Sequence, residues 1–202
     1  MVKLPTEEEV SIWVKAFEPY YAALGRTAHA WNHLQEELAQ LFSDLSRTDN
    51  LGLALWHTVK NDRGQRDLLE TALNSALEDE DWTKKFPKAK NDITWLLRET
   101  NKLADRRNDA IHAPCTMGVK TGQLEIMPFS FYGNPRAKKL LGKQILNEFK
   151  WYEGCADTLR LFSVSLAAAL RNDRITWPDR PHLPALQQDP IRAKLHPRSE
   201  GK

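Results

Sequence analysis

The stretch Arg107-Asn108-Asp109-Ala110-Ile111-His112, followed at once by Ala113-Pro114, decides how the fold is read. Upstream of it, Ile93, Leu96, Leu97, Leu103, Ala104 and Ile111 recur at helical spacing. That spacing predicts a long amphipathic helix from about Pro87 to His112. Pro114 closes it, because proline lacks the amide donor and disfavours helix in the residue before it. On a wheel of roughly 100° per residue, Asn101, Asp105, Asn108 and His112 share a polar stripe. Arg107 falls instead with Leu96, Thr100, Leu103 and Ile111, on the face that should look inward. A charge there is costly unless it is paired or lines a cleft.

The residue types suggest phosphate chemistry. Arginine presents a planar fork of donors that matches phosphate oxygens. Histidine is the side chain best suited to move a proton near neutral pH. One helix cannot easily converge Arg107 and His112 on one phosphate, because the angle between them is wide. Two copies related by a two-fold axis could do so across a shared groove. A plainer reading, a capping and salt-bridge cluster at a helix end, stays open at this point.

Working outward, Thr6 and Glu9 form a capping box that starts a first helix at Glu7 and carries it toward Tyr21. Pro19 and Gly25 interrupt it. A second helix covers Arg26 to about Leu45, with Ala30, Trp31, Leu34, Leu38, Leu41, Phe42 and Leu45 inward. Ser46 to Asn50 is a polar loop, Leu51 to Val59 an apolar segment, and Gly64 to Leu77 a further helix. Acids are unfavourable at a helix C-terminus, so Glu78 to Asp81 is expected as solvated loop. Gly118, Gly122, Pro128 and Gly133 punctuate Met117 to Tyr132, which reads as a short β-hairpin or ordered loop. A last helical region runs from Pro135 to Arg171, with a break expected near Gly154. Residues 177–202 form a Pro-rich, extended tail after a single domain over 1–176.

Composition narrows the function classes. The formal charge is +2 and 41% of the 202 residues are hydrophobic. That excludes a uniformly basic coat but not a local basic cleft. Two cysteines, Cys115 and Cys155, make neither a disulfide framework nor a zinc pattern. The first residues lack the basic and apolar regions of a signal peptide, and no apolar run reaches a membrane span. A cytoplasmic protein without membrane association is therefore expected. No phosphate-binding loop, dinucleotide fingerprint or serine nucleophile elbow occurs, and no cofactor is called for. His29 and His33 share a helix face, but no third ligand accompanies them and no metal site is assigned. Basic residues cluster at Lys84, Lys85, Lys88 and Lys90, at Arg136, Lys138 and Lys139, and along the tail. Trp56, Trp151 and Trp177 are candidates for stacking on bases.

Arg107-Asn108-x-x-x-His112 at the end of a helix resembles the R-N-x-x-x-H signature of the HEPN superfamily. Ala30-Trp31-Asn32-His33-Leu34-Gln35-Glu36-Glu37-Leu38 is similar to the upstream helix of HEPN-like proteins, with Gln35 where an acid is expected and Glu36 beside it. The likeness covers about Gly25 to Arg171. It implies an all-α HEPN-like helical bundle with the small β insert between the last two long helices. It also implies a metal-independent endoribonuclease, working as a homodimer whose two motifs face one cleft. In that reading Arg107, Asn108 and His112 are catalytic, and Arg106, Gln35 and Glu36 are candidates for substrate binding. RNA is the expected partner, and a toxin or phage-defence role would add an antitoxin. The alternative is a degenerate, non-catalytic interaction module that binds protein or nucleotide.

Overall fold

Forty consecutive residues, Glu7–Ser46, form one helix, α1, with Pro19 inside it. The expected interruption at Pro19 and Gly25 does not occur. An internal proline costs roughly 3 kcal/mol and a glycine about 1. A single buried row offsets this: Tyr20, Ala23, Thr27, Ala30, Leu34, Leu38, Leu41 and Leu45 recur every three or four residues, with Trp31 buried beside them. Burying each leucine side chain contributes about 1.5–3 kcal/mol. Pro19 itself faces solvent.

The computed structural model describes residues 6–120, 123–130 and 133–186. After α1 come α2 (Asp49–Thr58), α3 (Asp62–Ala76), α4 (Glu80–Lys85), α5 (Ala89–His112), β1 (Cys115–Lys120), β2 (Gln123–Pro128), α6 (Pro135–Leu140) and α7 (Ile145–Arg171). The fold is all-α with one small antiparallel hairpin between the long helices α5 and α7. No helix among the described residues is long and apolar enough to cross a membrane.

Two local expectations are corrected. The acidic run is exposed as expected but is only partly loop: Glu78 and Asp79 lie between α3 and α4, whereas Glu80 and Asp81 open α4. Asp79 caps α4, its Oδ1 accepting from the amides of Asp81 and Trp82 at 3.1 Å each. The same acids that would oppose a helix C-terminus favour the N-terminus of the next helix. The last helical region breaks at 141–144 rather than near Gly154, which lies inside α7. Gly142 supplies the turn with φ 81°, a left-handed conformation that glycine adopts without a side-chain clash.

β1 and β2 pair from Cys115↔Pro128 to Lys120↔Gln123. Thr121 and Gly122 lie outside the described residues. A side chain at Gly118 would meet the Met127 thioether, so a larger residue there requires that exposed, flexible side chain to move aside.

The chain packs as two compact units. The first holds the described residues of Met1–Gly25, Arg107–Trp151 and Pro184–Lys202; the second holds Arg26–Arg106 and Tyr152–Leu183. In the first, Tyr20 packs on the fully buried Phe149, ring centroids 5.6 Å apart. In the second, Leu34, Leu38, Leu69, Ile93, Leu96, Leu159 and Leu166 are wholly buried, and Trp31 and Trp56 nearly so.

The beginning of the expected tail is pinned, and residues 187–202 of it lie outside the described residues. In the second unit Asp92 is buried, and its carboxylate accepts from Trp177 Nε1 at 2.8 Å and from Arg180 Nε. Trp177 also packs against Phe86, centroids 5.7 Å apart. In the first unit, Trp151 Nε1 donates to the Pro184 carbonyl at 2.8 Å. Trp56 is 1% exposed. These three tryptophans are thus engaged in packing and hydrogen bonds rather than held out for bases.

Candidate functional site at the end of α5

The last turn and a half of α5 belongs to the first unit and carries the motif. His112 is exposed and closes the helix, and Ala113 is buried directly after it. Arg107 is half-buried, with its Nε shielded from solvent. Its Nη2 donates to Asn108 Oδ1 at 2.7 Å. Asn108 therefore fixes the direction of the guanidinium fork. The inward position read from the wheel explains the burial, and the neighbouring amide is one of its partners.

Asp109 extends the cluster. Its Oδ2 accepts from Lys139 Nζ at 2.7 Å, and the Asp109 side chain is 20% exposed. This ties α6 to the last turn of α5. The same short helix carries Arg136 and Lys138, both exposed and without an ion pair among the described residues. Two cations on α6 are thus held in the unit that presents His112. Sequence reading finds the basic run but not its anchor, because a contact thirty residues apart leaves no periodic signal.

The remaining candidates lie in the second unit. Arg106 is half-buried there, and its carbonyl accepts from the Tyr152 hydroxyl at 3.0 Å. Glu36 is exposed and lies 3.6 Å from His57 Nε2. Gln35 is 8% exposed, and neither its Oε1 nor its Nε2 has a hydrogen-bond partner among the described residues. Asn101 and Asp105, earlier on the polar stripe, line a groove of about 310 Å³ in the second unit with Glu70, Arg98 and Lys102. Asn101 also accepts from the buried Arg66, whose guanidinium lies over the Trp31 ring.

Gln35 gives a clear stability test. Each buried polar atom left without a partner costs roughly 1–3 kcal/mol, whereas an apolar group of similar shape costs nothing of the kind. Gln35→Leu is therefore expected to raise the melting temperature by several degrees, at roughly 2–4 °C per kcal/mol for a chain of this size. Thermal melts followed by circular dichroism check this. A lower melting temperature, or a loss of RNA binding, would show that the amide is used.

Cysteine chemistry is unfavourable. Burial pushes the Cys155 thiol up to about 11, against the nearby positive charge of Arg106. Burial raises the Cys115 thiol as well, although Tyr20 hydrogen-bonds to it. Neither is a ready thiolate at neutral pH. His29 and His33 are exposed, with ring centroids 4.2 Å apart. Among the described residues, no three His, Cys, Asp or Glu side chains are grouped to hold a metal.

No family model, curated protein or solved structure matches the chain. Its functional reading therefore rests on its own residues and on the resemblance of the motif.

Proposed function

We propose that this chain is a metal-independent endoribonuclease of the HEPN type. The observation that carries the reading is the Lys139–Asp109 bridge, which couples the exposed cations Arg136 and Lys138 to the turn that ends in the exposed His112. The cations would follow the phosphate backbone and make binding salt-dependent. A histidine at the rim would move the proton.

In this mechanism the ribose 2′-oxygen attacks the adjacent phosphorus and the bond from phosphorus to the 5′-oxygen breaks. The 2′-hydroxyl gives up its proton and the departing 5′-oxygen gains one, with His112 as base or acid. Arg107 offsets the charge that grows on the phosphorane oxygens. Asn108, bonded to Nη2, positions that fork. The products are a 2′,3′-cyclic phosphate and a 5′-hydroxyl. Arg107 and His112 diverge on one helix, so the complete site would draw one group from each of two copies. A toxin or phage-defence role, with its antitoxin, rests on the resemblance alone.

The test is cleavage of RNA in EDTA. RNA is expected to be cut there and its 2′-deoxy counterpart is not, because only RNA has the internal nucleophile. Loss of cutting on chelation, or equal cutting of both substrates, would exclude this chemistry.

A second reading, a helical interaction module, is favoured by a separate observation. Val10, Trp13, Val14 and Tyr21 on α1 are 43–58% exposed, which is unusual for large apolar side chains lying close together.

A further inference from the structure

The exposed side chains of α1 form an ordered stripe. Val10, Val14, Tyr21 and Gly25 follow one another at intervals of four, seven and four, so they share one helix face. Phe17 lies on the same line and stacks on Tyr21, centroids 5.7 Å apart. Tyr21 is 58% exposed even so. A side chain built at Gly25 would meet nothing within 4 Å, so the helix is open to close approach there. The face that packs inward, Tyr20 and Ala23, is a different one.

We infer that this stripe is the docking surface for a second copy of the chain, with the two α1 helices antiparallel. The stripe is complementary to itself in that direction. When Val14 lies opposite the partner's Tyr21, Val10 falls opposite the partner's Gly25. Large residues then meet small or flat ones at both ends, and Phe17 lies near the two-fold axis. The charges agree with the same register. Lys15 and Glu18 are both exposed on one flank of the stripe. In an antiparallel pair the same flanks meet, so Lys15 comes beside the partner's Glu18, twice by symmetry. The contact spans roughly 22 Å of helix, at a rise of about 1.5 Å per residue. That places it at the small end of specific interfaces, so the association should be reversible.

This assembly supplies the second copy that the ribonuclease reading requires, but the inference stands on α1 alone. RNA cutting by a monomer would remove the two-chain site and leave this surface untouched. A dimer without cleavage would remove the ribonuclease reading and support this surface.

The experiment is light scattering on the full chain from roughly 1 to 100 μM, the range in which small interfaces dissociate. The wild type is expected to pass from monomer to dimer. Val14→Glu is expected to weaken association at least tenfold without changing the circular dichroism signal of the monomer. Lys15→Glu and Glu18→Lys are each expected to self-associate at least tenfold more weakly. Mixing these two variants should restore a dimer, because in the mixed pair every position 15 stands beside a position 18 of opposite charge. The mixture also removes the ambiguity of a charge pair within one helix. A wild type that stays monomeric throughout, whether or not it binds lipid vesicles or another protein, would overturn the inference. So would a dimer insensitive to these changes, or a mixture that fails to pair.

Discussion

Replacing His112 by alanine is expected to lower the rate of RNA cleavage by roughly 10²–10⁴-fold, the usual contribution of a positioned proton-transfer group. The fold should not suffer. His112 is exposed at a helix end, and its loss opens no cavity. Under the proposed function binding should also survive, since it would depend on Arg136 and Lys138 rather than on the imidazole. Three readouts therefore separate: cleavage rate falls, melting temperature holds, and RNA affinity holds. A folded and fully active His112→Ala protein would end the ribonuclease proposal. Arg107→Ala is a poorer test of the site, because this side chain is half-buried and bonded to Asn108, so stability and chemistry would change together.

Asp92→Ala is expected to have the largest effect on stability. The carboxylate is buried and serves two donors at once, Trp177 Nε1 and Arg180 Nε. Hydrogen bonds to a charged group contribute about 1.5–3 kcal/mol each. The Arg180 side chain is 42% exposed and can turn to water once released, which reduces its share. A loss of about 3 kcal/mol remains, or roughly 6–12 °C in melting temperature. The chain after α7 should also become open to trypsin at Arg174 and Arg180. Asp92→Asn keeps an acceptor for Trp177 and should fall between the two. The surface pairs Lys85–Asp173 and Lys88–Asp179, all on side chains at least half exposed, contribute little by comparison. An unchanged melting temperature in Asp92→Ala would show that these contacts carry no net stability.

The long elements are legible in the sequence because burial imposes a period on them. α5 is readable from Ile93 to His112, and the hairpin from its glycines and alternating strand residues. Local signals mislead where tertiary packing outweighs them. Pro19 and Gly25 predict a break by their own chemistry, yet the helix continues through both, and the buried row that starts at Tyr20, directly after the proline, runs past Gly25 to Leu45 as one period. The acids at 78–81 read as opposing the helix before them, whereas Asp79 caps the helix after them. At the candidate site, the types and order of Arg107, Asn108 and His112 are visible in the chain. The Asn108–Arg107 bond can be anticipated from adjacency alone. The Lys139–Asp109 bridge cannot, because it depends on where the hairpin returns the chain to α5. Nor does the sequence say that Gln35 is buried without a partner. It follows the inward residues Trp31 and Leu34 closely enough to share their face, and a glutamine there reads equally well as a polar edge.

The proline within α1 also divides that helix in a cooperative sense. Pro19 has no amide to give to the turn before it, so the ladder of hydrogen bonds along α1 is interrupted between the exposed residues 10–15 and the buried row that starts at Tyr20. Opening of the leading turns need not disturb the core, and the core cannot by itself hold them closed. The two parts of one helix can thus have separate stabilities. In the proposed pair the trailing part would be held by its own protomer, while the leading part would gain further contacts from the other copy. A second copy would then stiffen a helix the first already forms, and each protomer would lend the other the support its own core does not give.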